Sequence, residues 1–176
     1  RRLHASIPGT ERGYLEMIER NGKQLLELIN TILDLARIEA GREELDVSLF
    51  PVIDLTQAVV ATLEPQAQAK QIDLRHSVMP DLPMLRSDFG KCRHILQNLV
   101  ANAVKFTEKG HVQVSAASCP NGVEIRVSDT GVGILAGQLE YIFDEFRQGD
   151  ESMTRNYGGT GLGLSIARKY AALLQG

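Results

Sequence analysis

Most features that would classify this chain at a glance are missing from it. No apolar run is long enough to span a bilayer and no signal-peptide pattern opens the sequence, so neither a transmembrane nor a secretory segment is expected within it. There is no basic excess: 19 Lys and Arg stand against 22 Asp and Glu, a formal net charge of −3. Binding to a phosphate backbone normally needs a basic face, so a nucleic-acid partner is not expected. Cysteine is scarce, and Cys92 and Cys119 lie far apart without metal-ligand spacing. They are expected to be buried or half-buried thiols in a reducing cytoplasm. No internal repeat is present. What remains is ordinary for a globular chain of 176 residues, with 43% hydrophobic and 23% charged residues, enough to bury a core.

The pattern changes character after Gly41. From Tyr14 to Ala40, the residues Leu15, Ile18, Gly22, Leu25, Ile29, Ile32 and Ala36 follow a heptad seam, and Met17, Leu28 and Leu35 add a second apolar stripe. A helix apolar on two flanks points to a bundle, and Gly41 supplies its stop. Beyond it, strands and helices alternate. Strands are expected over 44–50 and 71–78, and helices over 54–70, 88–106 and 161–174, with a short helix over 138–143. Val112, Val114 and Ala116 alternate with polar residues, as do Val123, Ile125 and Val127, and Pro120-Asn121-Gly122 between them is a hairpin signal. The order fits an α+β sandwich, a mixed sheet with helices on one face, preceded by a bundle helix.

Four segments carry candidate chemistry. On a helix Asn98, Asn102 and Lys105 share one face, with Leu99, Ala103 and Phe106 as a core stripe beside it. An amide oxygen suits Mg²⁺ that also holds phosphate oxygens, and a lysine one turn away neutralises phosphate charge. A solvated helix face explains the same spacing. In Asp129-Thr130-Gly131-Val132-Gly133 the aspartate has the parity of Val127, so it is expected to point to the covered side, where it needs a donor such as an adenine amine. Gly131 and Gly133 leave room for a base; a turn aspartate is the simpler alternative. Phe143 and Phe146 form an apolar pair at i and i+3. Gly158-Gly159-Thr160-Gly161-Leu162-Gly163-Leu164 opens a helix whose N–H groups favour an anion.

Taken in order, these segments resemble the N, G1, F and G2 boxes of the ATP-binding domain of sensor histidine kinases, a Bergerat-type fold, over roughly residues 44–175. The run Leu33 to Gly41 similarly resembles the second dimerisation helix of those kinases. The resemblance implies a partial dimerisation region over 1–41 and a catalytic domain over 42–176. It implies Mg²⁺ on Asn102 with Asn98 beside it, and Lys105 on phosphate. Asp129 reads adenine between Gly131 and Gly133, residues 144–160 form a lid, Phe143, Phe146 and Arg147 contribute to the nucleotide site, and Gly159, Thr160, Gly161, Leu162 and Gly163 hold the triphosphate. Arg155 is a further candidate for the phosphates. The γ-phosphoryl of ATP then passes to a histidine and on to the aspartate of a response regulator. A homodimer and a cytoplasmic location are expected, with any membrane attachment in other parts of the parent protein.

The gyrase, Hsp90 and MutL ATPases share this fold but carry a water-activating glutamate where Asn98 stands, and an amide cannot take that proton. The phosphoacceptor motif of the kinases is absent: His4 is followed by Ala-Ser-Ile-Pro and is not expected to be the acceptor. His76 and His111 are expected at the surface, and His94 toward solvent or nucleotide. The first and last residues suggest a fragment, with the acceptor helix before Arg1 and the final strands after Gly176. The alternative is a catalytically silent module that senses nucleotide or dimerises.

Overall fold

The computed structural model describes residues 9–120, 122–145 and 161–176. Its contacts divide the chain into two compact units, 1–43 and 44–176. In the first, helix α1 spans Gly9–Glu39. Heptad residues such as Ile18, Leu25, Ile29 and Ile32 are exposed along it. The helix stops where the glycine requires. Gly41 takes φ +62°, its N–H bonds Ile38 O at 3.0 Å and Arg42 N–H bonds Arg37 O at 3.1 Å, the paired bonds of a Schellman end.

The second unit is built from β1 (Val47–Phe50), α2 (Val52–Ala69), β2 (Asp73–Val78), β3 (Leu85–Asp88), α3 (Phe89–Phe106), β4 (His111–Cys119), β5 (Gly122–Asp129) and α4 (Gly163–Leu173). One sheet runs β2-β4-β5, with β2 parallel to β4 and β4 antiparallel to β5; β1 and β3 form a separate antiparallel pair. β4 and β5 make the expected hairpin, Cys119 opposite Gly122.

Alternation on β4 buries Val112, Val114 and Ala116 on one face. Against it pack Leu55, Val59, Leu63 and Ala67 of α2 and Leu96, Val100, Ala103 and Val104 of α3. This is the mixed sheet with helices on one face that the alternation implied. The core stripe of α3 is displaced from the one expected: Val100 and Val104 are buried, whereas Leu99 and Phe106 are half-covered. A helix packed both on a sheet and on α4 buries a broader arc than one stripe.

Three further expectations need correction. The strand over 44–50 is confined to its last four residues, because only those pair with β3. β3 itself was not anticipated; Leu85-Arg86-Ser87-Asp88 has little strand character and is extended by its partner. The helix over 138–143 is a 3₁₀ turn at Ala136–Gln138 followed by non-helical turns.

Candidate functional site

α3 begins at a buried cap. Asp88 accepts from Lys91 N–H at 2.9 Å, Asp46 N–H at 3.0 Å and the Lys91 ammonium at 3.0 Å. That ammonium also donates to Glu44 O at 2.8 Å and lies 5.9 Å from the Tyr170 ring centre on α4. Burial pushes the Asp88 carboxyl up, but the two amide bonds and the Lys91 ammonium outweigh it and hold the pKa below the ordinary carboxylate range. A depressed pKa means stabilisation that is complete at neutral pH and is lost as pH falls through the folded-state value. Asp88→Ala is therefore expected to cost about 1–3 kcal/mol at neutral pH. Asp88→Asn is expected to flatten the acid limb of a melting-temperature profile against pH; an unchanged limb in that variant is the opposing result.

The expected polar face runs along α3 from this cap. Asn98 and Asn102 are half-buried. Asn98 Nδ2 is fully shielded and lacks a hydrogen-bond partner among the described residues. A Cβ built on Gly163, at the start of α4, would lie 3.0 Å from Asn98 Oδ1, so the absence of a side chain there lets the α4 N-terminus close on this amide. The shielded amide of the first segment and the glycine-led helix of the fourth are thus brought together from 65 positions apart in the sequence. Lys105 is half-buried with its ammonium 4.8 Å from the Phe106 ring centre, and burial pushes its pKa down.

The loop after β5 is tied to the last turn of α3. Val132 N–H reaches Phe106 O at 3.4 Å, and a Cβ on Gly131 would stand 2.6 Å from that carbonyl oxygen. Thr130 Oγ1 accepts from His111 N–H at 3.0 Å. Asp129 shares the face of Val112, its cross-strand partner, as its parity requires. It is nevertheless exposed, not covered, because the strand ends there; its Oδ1 accepts from Gly131 N–H at 2.9 Å. Gly133 takes φ +72° with open space about its α-carbon.

Phe143 lines an open groove of about 400 Å³ with Asp144, Glu145, Ser165, Arg168, Lys169 and Ala172. Gly161 takes φ +71° and Leu162 is fully buried at the head of α4. Phe146, Arg147, Arg155, Gly158, Gly159 and Thr160 lie outside the described residues, as does His4.

Two histidines, each partly covered, make contacts that the sequence did not suggest. His94 packs its ring against Tyr170, centroids 5.3 Å apart, and so braces α3 on α4. His76 is half-buried, its Nε2 2.7 Å from the hydroxyl of the buried Thr56. Cys92 is half-buried as expected, but Cys119 is exposed at the end of β4. The residues that sequence reasoning missed are Lys91, Tyr170 and Lys70, whose ammonium bonds the end of α3. Each acts through a contact remote in sequence, and none belongs to a motif.

The profile of the histidine kinase-, DNA gyrase B- and HSP90-like ATPases matches residues 87–176. The chain is 40% identical over 164 residues to a sensor-like histidine kinase of Rhizobium meliloti, covering 93% of this chain and 31% of that protein. It is 39% identical over 173 residues to the circadian input-output histidine kinase CikA of Thermosynechococcus vestitus, 97% of this chain and 24% of that one. It thus spans less than a third of the length of these relatives. Among solved structures, full-length ShkA in complex with AMPPNP superposes with a TM-score of 0.82 at 34% identity, over 94% of this chain and 34% of ShkA. The histidine kinase ThkA in complex with the response regulator TrrA shares the fold, with a TM-score of 0.74 at 24% identity, over 99% of this chain and 48% of ThkA. By this family match and these likenesses, the chain belongs to the histidine kinase-, DNA gyrase B- and HSP90-like ATPase family, among the sensor histidine kinases.

Proposed function

We propose that this chain is the catalytic part of a sensor histidine kinase, binding Mg-ATP and passing the γ-phosphoryl to a histidine for relay to a response-regulator aspartate. In this reading residues 1–41 contribute part of a dimerisation region and 42–176 the ATP-binding catalytic domain, in a cytoplasmic homodimer. The observation that carries it is the unsatisfied Asn98 amide lying against Gly163 at the head of α4. An orphaned buried amide is costly unless a ligand completes it, and a helix N-terminus favours phosphate.

The residues present suit the nucleotide and its metal. No cluster of three His, Cys, Asp or Glu side chains that could hold a metal occurs among the described residues, so a cation here rests on amide and phosphate oxygens. Asn102 supplies the amide oxygen, with Asn98 beside it. Held there, Mg²⁺ supplies charge neutralisation across the phosphate oxygens. Lys105 adds positive charge, and an anion offsets the burial that depresses its pKa. Asp129 exchanges its bond to Gly131 N–H for one from the adenine amine, between Gly131 and Gly133. Gly159, Thr160, Gly161, Leu162 and Gly163 cradle the triphosphate, flanked by Phe143, Phe146 and Arg147. Asn98 cannot act as a general base for water, which favours transfer to a protein side chain over hydrolysis.

Two measurements on the full chain test this. Calorimetry is expected to give a heat of binding for Mg-ATP. Incubation with radiolabelled ATP is expected to leave the chain unlabelled and to label a separately expressed acceptor-helix pair when one is added. Absence of heat removes the nucleotide reading. Binding without transfer turns the assignment to a nucleotide sensor, and labelling at His4 overturns the placement of the acceptor outside this chain.

A further inference from the structure

α3 ends unlike the other helices. α1, α2 and α4 each stop at a residue of positive φ, Gly41 at +62°, Gln71 at +58° and Gln175 at +60°. In each, the next amide reaches back to close the helix: Arg42 N–H to Arg37 O, Ile72 N–H to Ala67 O and Gly176 N–H to Ala171 O. Thr107, which ends α3, is extended at φ −92° and ψ 122°, so no such turn can satisfy the last carbonyls. They are satisfied from another element. Lys70 Nζ donates to Val104 O at 2.8 Å, Lys105 O at 2.7 Å and Thr107 O at 3.0 Å. These bonds match the three donors of an ammonium, and a cation is the favourable charge at a helix C-terminus.

Both ends of this clamp are fixed. Lys70 is the C-cap residue of α2, held by the Gln71 turn beside it. On the other side of the clamped turn, Phe106 O carries the Gly131–Val132 loop. Lys105 stands on the turn itself and Asn102 on the one before it. The same short stretch of backbone therefore sets the metal and phosphate side chains and seats the base loop.

We infer that Lys70 is a positioning residue for nucleotide binding, acting through the carbonyls of Val104, Lys105 and the cap residue Thr107 at the end of α3 without touching the nucleotide. This rests on the Mg-ATP reading of the site. Without Lys70 the last turn frays, and Lys105 and the Gly131 loop lose their common support. A displacement of an ångström at such a site can cost orders of magnitude in function.

The test compares wild type with Lys70→Met, which keeps much of the aliphatic stem but no donors, and Lys70→Arg, which keeps charge and donors. Each is titrated with Mg-ATP well below its own melting temperature. The Met variant is expected to bind about tenfold more weakly while still folded, with Arg restoring most of the loss. A purely structural lysine would lower the melting temperature and leave affinity in the folded state untouched, and that result overturns the inference. A second measurement needs no variant. By reciprocity, a nucleotide that uses the clamped turn must tighten the clamp, so saturating Mg-ATP is expected to slow acylation of Lys70 in the wild-type chain, read by mass spectrometry. An unchanged acylation rate with nucleotide bound also overturns it. Failure of wild type to bind nucleotide at all is a separate outcome, which strikes the Mg-ATP reading and the inference with it.

Discussion

Asn102→Ala is expected to abolish Mg²⁺-dependent ATP binding, weakening it by about a hundredfold or more. Asn102 lies one turn beyond the buried Asn98 amide and one turn before Lys105, on the half-covered face of α3. A divalent cation between the protein and the phosphates needs an oxygen ligand from that face, and alanine offers none. The loss should be specific. Chelating Mg²⁺ from wild type is expected to bring its affinity down to that of the variant, and adding EDTA to the variant should change little. Thermal melting should move by less than a degree or two, since a half-exposed alanine favours a helix. Calorimetry in both conditions reads all of this, and an unaltered Mg-ATP affinity in Asn102→Ala would remove the metal assignment.

Gly131→Ala is expected to damage both stability and binding. The added Cβ meets Phe106 O at 2.6 Å and Asp129 Oδ1 at 2.9 Å. The first is backbone at the end of a clamped helix, so it has no free rotation by which to yield. The second is the oxygen that accepts Gly131 N–H, so relief by moving Asp129 breaks that bond. Overpacking of this kind costs about 1–3 kcal/mol, a fall of several degrees in melting temperature for a chain of this size. Asp129 shifts with it, and under its proposed role as the adenine contact ATP affinity should fall by about tenfold or more. Gly133→Ala is the control: positive φ strains it too, but open space surrounds it, so no backbone collision adds to the cost. Wild-type melting and affinity in Gly131→Ala would show that the close approach to Phe106 is unimportant.

What was legible in the sequence is what local chemistry dictates. Gly41 stops α1 because only glycine takes its left-handed conformation without cost, and the alternation on β4 and β5 exposes its period directly. The spacing of Asn98, Asn102 and Lys105 is helical geometry and needs no tertiary information. The illegible parts depend on partners distant in sequence. β3 exists because β1 pairs with it, and its own residues argue for a loop. Asp129 has the parity expected, but exposure depends on where the strand ends in space. His94 looked like part of the polar face because the helical wheel cannot reveal that Tyr170 covers it. Lys70 was unremarked for the same reason: a lysine ending a helix is usually solvated, and only the fold brings it to the end of α3.

The parallel pairing of β2 with β4 has a consequence for how the molecule assembles. Asp73 lies beside His111, and the connection between the strands is the segment that contains β3 and α3. A hairpin such as β4–β5 can zip from its turn, whereas strands of the same sense must close a long loop before any contact rewards them. Chain connectivity thus makes this crossover the slow closure expected in the folding of the second unit, and the proposed nucleotide-binding face of α3 rides on it. Neither the hairpin nor α3 alone holds all the residues of the proposed site, so this unit matures as a whole.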